Sequence, residues 1–277
     1  MKKQRLFALL AGLLALCLLA SCGKNGDSGV AEPDPTPAED PETPGSGDET
    51  PDAPDTPDAA AEPLTVAPYV RSLTVRDGTA GSDTVWIEGE FSVPSIPALP
   101  RVTSYYADLS QELQQDCWNQ SGEAQTAREL SSGDWLPWTW ELSYQVLRND
   151  GRTLSILRTL YQNAGGPHPS SYVWAESFDA QTGGRLLLGD LFTVEESEYF
   201  PRLLDAVRAQ MTDNGIDYYE DASATLEQVF DPVNFALEED SLLLFFNTSE
   251  IAPYAAGFQE FRLPWTDLAD ILSDDVR

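Results

Sequence analysis

The chain has 277 residues, of which 46 are acidic against 16 lysines and arginines, so its formal net charge is −30 at pH 7. Such a protein would repel nucleic acid phosphates, whereas it would attract cationic partners, although acidity also keeps an exported protein soluble. No lysine follows Lys24, which excludes a Schiff-base lysine, a serine–lysine dyad and a P-loop lysine from the rest of the chain.

Residues 1–21 have the pattern of an export signal. A basic start is followed by an apolar run and by LASC, which resembles the lipobox of bacterial lipoproteins. The resemblance implies that Cys22 is acylated and anchors the protein in the cell membrane, facing outside the cytoplasm. The alternatives are an uncleaved anchor and a plain secretory signal, and both also place the remaining chain outside the cytoplasm.

Residues 22–63 are predicted to form a tether. After Cys22 this segment holds 12 acidic residues and 9 prolines, but Val30 is its single branched apolar residue. Such a composition cannot bury enough apolar surface to compensate for the entropy lost on ordering, so we expect a disordered, partly extended segment. In polyproline conformation it would reach on the order of 100 Å from the membrane.

The N-terminal part of a predicted head, residues 64–162, begins with a hairpin. VAPYVRSLTV and TVWIEGEFSV alternate with period two around the turn-forming RDGTAGSD. Apolar residues at helical spacing follow and predict a helix. We expect the thiol of Cys117, the last residue of this stripe, to be buried on the apolar face of the helix. The stripe consists of Val102, Tyr105, Tyr106, Leu109, Leu113 and Cys117.

A second hairpin is predicted around the NDG sequence, onto a strand that begins at Thr153. Its first strand alternates from Leu136 to Val146. The alternation places Trp138 and Trp140 in the core rather than in a sugar-stacking cluster.

The C-terminal part of the head, residues 163–277, continues with hairpins and helices. SYVWAESFDAQTGGRLLLGDLF predicts a strand, a turn and a short strand, in which Gly183 is free to take positive φ. A helical stripe from Tyr199 to Met211 follows, then a hairpin in NFALEEDSLLLFFN, a strand in FQEFRLPW and a closing helix capped by Thr266. This mixed order favours an α+β fold, with antiparallel-rich sheets packed against a few amphipathic helices.

The head offers few residues for catalysis or metal binding. His168 is the chain's single histidine, and Cys117 is the single cysteine after Cys22, which is too few for a zinc site. No G-x-S-x-G elbow accompanies His168, so a serine triad is not supported. We therefore expect no metal, no cofactor and no enzymatic activity, although paired carboxylates for glycoside hydrolysis are compatible with the composition.

Three stretches carry a resemblance to a known family: GRTLSILRTLYQNAGG, GGPHPSSYVWAESFDAQTGGRLLLGDLF and NTSEIAPYAAGFQEFRLPW. They resemble the extracytoplasmic domain of RsiV-type anti-sigma factors, which also precedes the catalytic domain of PdaC-type peptidoglycan deacetylases. The resemblance implies signature positions with structural or binding roles. These are Gly165, Gly166, His168 and Pro169 in a turn, Asp179, Thr182 and Gly183 in a hairpin followed by Asp190, and Ile251, Ala252, Pro253, Tyr254 and Gly257 in a loop.

In the RsiV branch the resemblance implies that this domain binds host lysozyme. We expect no sigma-binding segment ahead of the signal and no deacetylase after the head, so binding alone carries over. The first hypothesis is a noncatalytic, lipid-anchored domain that binds lysozyme or another cationic wall-active protein. The alternatives are a peptidoglycan- or glycan-binding module, suggested by the seven tryptophans, and, ranked lower, a glycoside hydrolase. His168, between two prolines, is expected to fix its turn rather than to catalyse.

Overall fold

The first of two sheets has six strands in the order β1-β2-β3-β4-β5-β6 in a computed structural model that describes residues 62–274. The strands are β1 (Ala67–Arg76), β2 (Val85–Ser95), β3 (Trp138–Asn149), β4 (Thr153–Asn163), β5 (Ser170–Asp179) and β6 (Arg185–Leu186). The export signal, Cys22 and almost all of the predicted tether lie outside the described residues.

Antiparallel pairing dominates this sheet. The β1–β2 and β3–β4 hairpins form as predicted, and β4–β5 and β5–β6 are also antiparallel. Within residues 62–274, β2 and β3 form the one parallel pair, from Ile87 opposite Trp138 to Phe91 opposite Leu142. Because parallel strands need a crossover connection, the chain between them has to leave the sheet and return.

Two helices occupy that crossover and cover one face of the sheet. The first, α1 (Pro100–Asn119), is the predicted helix, and it buries Val102, Tyr106 and Cys117. The second, α2 (Ser121–Leu130), was not predicted, since Ala124 is its single buried residue. The resulting core includes both Trp138 and Trp140, which confirms their predicted placement.

The predicted alternation of β3 fails at both of its ends. Leu136 precedes the strand and is 78% exposed, so it does not belong to the buried face. Val146 is 39% exposed, although it lies opposite the buried Ile156, and the pairing with β4 shifts register just after it, between Val146 and Arg148. An extra residue at such a bulge ends the period-two pattern.

The second sheet contains three antiparallel strands in the order β7-β8-β9. The strands are β7 (Phe235–Leu237), β8 (Ser241–Phe246) and β9 (Gln259–Pro264), and the accompanying helices are α3 (Glu196–Asp213), α4 (Ala222–Val229) and α5 (Trp265–Leu268). One face packs on the helices, and the other packs on β4 and β5 of the first sheet through Ala236, Leu243 and Phe245. The two sheets and their helices confirm the α+β fold class.

Helix α5 differs from its prediction. It begins at Trp265 with Pro264 as its N-cap, so Thr266 lies inside the helix and does not cap it. Pro264 ends β9, and its successor already starts the helical turn, which leaves no extended residue at position 266 to serve as a cap. Helix α3 was predicted and α4 was not.

Each long edge of the six-stranded sheet carries an amide side chain from outside the sheet. At β1, Gln114 Nε2 of α1 donates to the Ser72 carbonyl at 2.9 Å. At β5, the Val173 N–H donates to Asn247 Oδ1 at 2.8 Å, and Asn247 Nδ2 donates to the Val173 carbonyl at 3.1 Å. Because unpaired edges are templates for pairing with other chains, these two edge-capping amides limit such pairing.

No helix within residues 62–274 is long and apolar enough to cross a membrane.

Candidate functional site

Two of the signature segments meet at one end of the first sheet. The turn after β4 carries His168, and the loop between β8 and β9 carries Tyr254; their rings stack with centroids 4.0 Å apart and planes at 24°. The Tyr254 hydroxyl donates to the Pro169 carbonyl at 2.6 Å, and His168 Nδ1 lies 3.2 Å from the same oxygen. We call Gly165, His168, Pro169 and Tyr254 the turn–loop cluster.

The turn rests on the first residue of β3. Gly165 has φ of 70°, and a Cβ there would lie 2.8 Å from Nε1 of Trp138. The indole N–H of Trp138 is buried and has no hydrogen-bond partner among residues 62–274. Both the backbone conformation and the close approach therefore require glycine at position 165. Gly166 has more space, since its Cβ would meet only the His168 carbonyl, at 3.6 Å.

The loop presents Tyr254 from a buried base. Ile251 and Ala252 are each 1% exposed, and the Ile251 carbonyl accepts from the Tyr219 N–H at 3.0 Å. Pro253 then begins a single 3₁₀ turn, Tyr254–Ala256, which ends at Gly257 with φ of 72°. Tyr254 keeps 38% of its surface exposed, so a fixed aromatic ring faces solvent.

The third signature segment lies at the opposite end of β5, away from the turn–loop cluster. Asp179 Oδ1 accepts from the Gln181 and Thr182 N–H groups and from the Thr182 hydroxyl, at 2.6 to 3.0 Å. These hydrogen bonds, led by the Thr182 hydroxyl, lower the pKa of Asp179. Gly183 follows with φ of 72°. Asp190 likewise accepts locally, from the Leu187 N–H at 2.8 Å.

Acidic side chains lie on the face of the first sheet that α1 and α2 leave uncovered. Strand register places Ser72, Glu90, Glu141, Tyr161 and Ser171 opposite one another across five strands. The neighbouring row consists of Thr74, Glu88, Thr139 and Asn163.

We call these two rows the acidic face. Its three glutamates, Glu88, Glu90 and Glu141, are exposed, and the register shows no arginine in either row. Glu90 and Glu141 are directly opposite in the parallel pair, an arrangement that like charges disfavour. The row through Ser171 ends two residues from Pro169, so the acidic face adjoins the turn–loop cluster.

Several arginines of the described chain are neutralised by carboxylates. Ion pairs join Arg148 to Asp150, Arg158 to Glu176, Arg202 to Asp270, Arg208 to Asp205, and Arg262 to Glu238 and Glu260. Since the head has 34 acidic residues and 12 arginines, these pairs leave a large surplus of free carboxylates at the surface.

The most deeply buried ion pair was missed by the sequence analysis. Arg158 Nε donates to Glu176 Oε2 at 2.9 Å, Arg158 Nη2 donates to Oε1, and the Tyr105 and Tyr106 hydroxyls each donate to the carboxylate at 3.2 Å. Burial alone would raise the pKa of Glu176, but the charge and hydrogen bonds of Arg158 hold it below its usual value. The sequence did offer one sign of this pair, because Arg158 is a charged residue within the otherwise apolar run of β4.

Cys117 is a buried thiol, as predicted. It lies on the sheet-facing side of α1, and burial raises the pKa of its thiol to about 12. Such a thiol stays protonated at neutral pH, and a protonated thiol is a poor nucleophile. Within residues 62–274, no group of three or more His, Cys, Asp or Glu side chains is placed to hold a metal ion.

A family model described as "Protein of unknown function (DUF3298)" matches residues 189–266. The match contains Asp190 and the loop of residues 251–257, and it begins after the glycine turn and the Asp179 hairpin.

Curated relatives are the "Immunogenic protein MPT64" of Mycobacterium tuberculosis and the "Immunogenic protein MPB64" of Mycobacterium bovis. Each is 27% identical over 134 residues, which is 47% of this chain and 57% of the relative. The chain therefore spans just over half the length of these curated relatives.

Two crystal structures of DUF3298 proteins have a similar fold. One, from Pseudomonas aeruginosa PAO1, has a TM-score of 0.56 at 19% identity and covers 78% of this chain and 97% of its own. The other, from Bacteroides fragilis NCTC 9343, has a TM-score of 0.50 at 17% identity and covers 76% and 96%. Residues 189–266 thus match the DUF3298 family, whose function is unknown, and the chain shares the fold of two solved DUF3298 proteins.

Proposed function

We propose that this protein is a noncatalytic binding domain that captures a cationic protein outside the bacterial membrane, to which lipid on Cys22 anchors it. The observation that carries the proposal is the acidic face, where Glu88, Glu90 and Glu141 are exposed and form no ion pair within residues 62–274. Holding Glu90 opposite Glu141 is unfavourable in the free protein. A cationic partner would relieve that repulsion.

Lysozyme is the favoured partner, on the basis of the RsiV-type resemblance and of charge. The acidic surplus would accelerate encounter with a basic protein, and this steering would fall as salt rises. Specific docking needs a fixed contact as well as charge. The Tyr254 ring supplies one, because stacking on His168 and its hydrogen bond to Pro169 limit its rotation.

The same geometry favours binding over glycoside hydrolysis. Glu90 and Glu141 are a carboxylate pair, but they lie on an open sheet face. Hydrolysis of a glycosidic bond needs two carboxyl groups on opposite sides of the substrate in a cleft. An open face suits contact with another protein surface.

The test is a calorimetric titration of the full chain with lysozyme, carried out once at low salt and once at moderate salt. We expect binding that weakens with salt and that is reduced by the triple variant Glu88→Gln, Glu90→Gln, Glu141→Gln. The matched control is Glu112→Gln, Glu123→Gln, Glu129→Gln, which removes the same charge from exposed positions on α1 and α2.

Equal loss of affinity in both triple variants would show that net charge, and not the acidic face, determines binding. The absence of binding at low salt would overturn the lysozyme proposal.

A further inference from the structure

A polar groove lies on the helix-covered side of the first sheet, between its edge strand β1 and α1. Its volume is about 380 Å³, and its walls are formed by Arg71, Leu73, Gln111, Gln114, Gln115 and Trp118. Small-molecule sites usually occupy roughly 300 to 1,000 Å³, so the groove has the size of a modest ligand site. It is separated from the acidic face by the sheet itself.

One wall of the groove is formed by residues of β1 and the other by residues of α1. Arg71 and Leu73 are two residues apart on β1, so they share a face of the strand, opposite Phe91 and Gly89. The α1 residues recur at positions 111, 114, 115 and 118, which places them on one side of the helix. Both walls are therefore held by regular secondary structure and not by a loop.

Arg71 lies in this groove without a carboxylate partner among residues 62–274. Its Nε donates to the Ser110 hydroxyl at 3.2 Å, and its guanidinium lies 5.4 Å from the centre of the Tyr69 ring. These two contacts orient the group but leave its terminal nitrogens without a hydrogen-bond acceptor in the described chain. A guanidinium in that position is ready to bind a carboxylate through two parallel hydrogen bonds.

Trp118 supplies an apolar platform beside this charge. It is 50% exposed, and it is the one exposed tryptophan of the described chain. Its ring stacks on no other aromatic residue, and its indole N–H makes no hydrogen bond, within residues 62–274. Half-exposed indole faces suit ligands that have one apolar face and polar edges, as sugar rings do.

Glutamine side chains complete the polar lining. The Gln111 amide makes no hydrogen bond within the described chain. Gln115 uses its Nε2 toward Asn119 at 3.0 Å, which leaves its carbonyl oxygen available. Amides that both donate and accept are suited to sugar hydroxyl and acetamido groups.

We propose that this groove binds a glycan that carries a carboxylate. The sugar ring stacks on Trp118, its carboxylate pairs with Arg71, and Gln111 and Gln115 bind its polar substituents. The site is independent of the proposed capture of a cationic protein, since it uses a different side of the sheet and ligand chemistry of the opposite charge.

The probes are the trimer of galacturonic acid and its methyl ester, which has the same sugars without the charge. Ligand-observed NMR and calorimetry on the full chain would be carried out near 0.15 M salt, where the remaining acidic surface is screened beyond about 8 Å. We expect the acid to bind, and the ester to bind at least about tenfold more weakly, because the charge-assisted pair with Arg71 is lost.

Two variants locate the site. Arg71→Gln should reduce binding of the acid to that of the ester, and Trp118→Ala should abolish binding of both. The matched controls are Arg76→Gln on the same strand and Tyr219→Ala, another exposed aromatic, and both should bind like the unchanged protein.

Thermal melts of every variant would separate loss of the site from loss of the fold. If Trp118→Ala unfolds the protein, Gln111→Ala provides the second test and should weaken binding. The proposal is overturned if neither trimer binds, if the ester binds as tightly as the acid, or if an acidic peptide such as triglutamate binds as tightly as the trimer.

Discussion

Arg158 of β4 and Glu176 of β5 form a bidentate ion pair whose side chains are 5% and 3% exposed. The two residues are diagonal neighbours, since Arg158 lies opposite Trp174 and Glu176 lies opposite Ile156. Tyr105 and Tyr106 of α1 donate to the same carboxylate. The pair therefore connects two strands to the helix above them, and each carboxylate oxygen accepts one hydrogen bond from Arg158 and one from a tyrosine.

Replacing Glu176 by Gln should destabilise the protein strongly. The change leaves the Arg158 charge buried without its counter-ion, which typically costs about 3–5 kcal/mol. Asp270→Asn is the control, because it breaks the exposed pair with Arg202, and solvent-exposed pairs contribute little to stability. Urea unfolding followed by circular dichroism measures both, and similar losses in the two variants would contradict the proposed role of burial.

The loss of unfolding free energy caused by Glu176→Gln should become smaller as the pH falls. The pKa of Glu176 is lower in the folded protein than its ordinary value of about 4.3, so its stabilisation is complete above that value. It is lost as pH falls through the lower folded pKa, where the carboxyl is protonated in both states. The difference in unfolding free energy between the two proteins should stay constant above about pH 5 and shrink below it. A difference that grows in acid would contradict this sign.

Gly165→Ala should lower stability by more than an ordinary positive-φ substitution. Gly215 has nearly the same φ, 72° against 70°, but an added Cβ there meets nothing within 4 Å. Gly215→Ala should therefore cost about 1 kcal/mol from backbone strain alone. At Gly165 the new methyl group must also displace Trp138, so we expect at least about another 1 kcal/mol. Equal melting temperatures of the two variants would show that the turn does not press on Trp138.

The His168–Tyr254 stack can be measured by a double-mutant cycle. His168→Ala and Tyr254→Ala should each lower stability modestly, with a coupling energy of about 0.5–1.5 kcal/mol, as is typical of aromatic pairs. Tyr254→Phe keeps the ring but loses the hydrogen bond to Pro169, so it should retain most of the coupling. If the coupling is zero, the two rings are neighbours without mutual stabilisation.

Asn247→Ala should make the protein associate with itself. The change frees the Val173 N–H and carbonyl at the β5 edge, which can then pair with the edge of another molecule. Asn119→Ala is the control, because within residues 62–274 the side-chain amide of Asn119 bonds only to Gln115 on the same helix. Sedimentation at rising concentration should show larger species for Asn247→Ala and not for the control or the unchanged protein.

Local patterns were enough to predict most strands and the two longest helices. Period-two runs around RDGTAGSD and NDG predicted both hairpins, and the stripe ending at Cys117 predicted α1. The α2 and α4 helices were missed because short polar segments that bury one or two residues carry little periodicity. The prediction that Thr266 caps α5 was wrong because the helix already begins at Trp265, with Pro264 as its N-cap.

Long-range pairings could not be predicted from one sequence. Nothing in the pattern of β2 or β3 indicates that they are parallel neighbours, and that pairing creates the acidic face by placing Glu90 beside Glu141. The groove likewise joins Arg71 of β1 to Trp118 in the C-terminal half of α1. The resemblance identified His168 and Tyr254 as signature residues, but their contact emerges only when β4, β5 and β8 are assembled.

The parallel pairing of β2 with β3 also constrains the order in which this protein folds. The β1–β2 hairpin and the β3–β4–β5 meander each form from neighbours along the chain, whereas joining them requires residues 96–137 to close as one long loop. Because non-local closure slows folding, we expect the docking of these two preformed units to limit the folding rate. Before that docking we expect the inner edges of β2 and β3 to lack partners, and the segment that must close to join them carries both helices that cover the sheet.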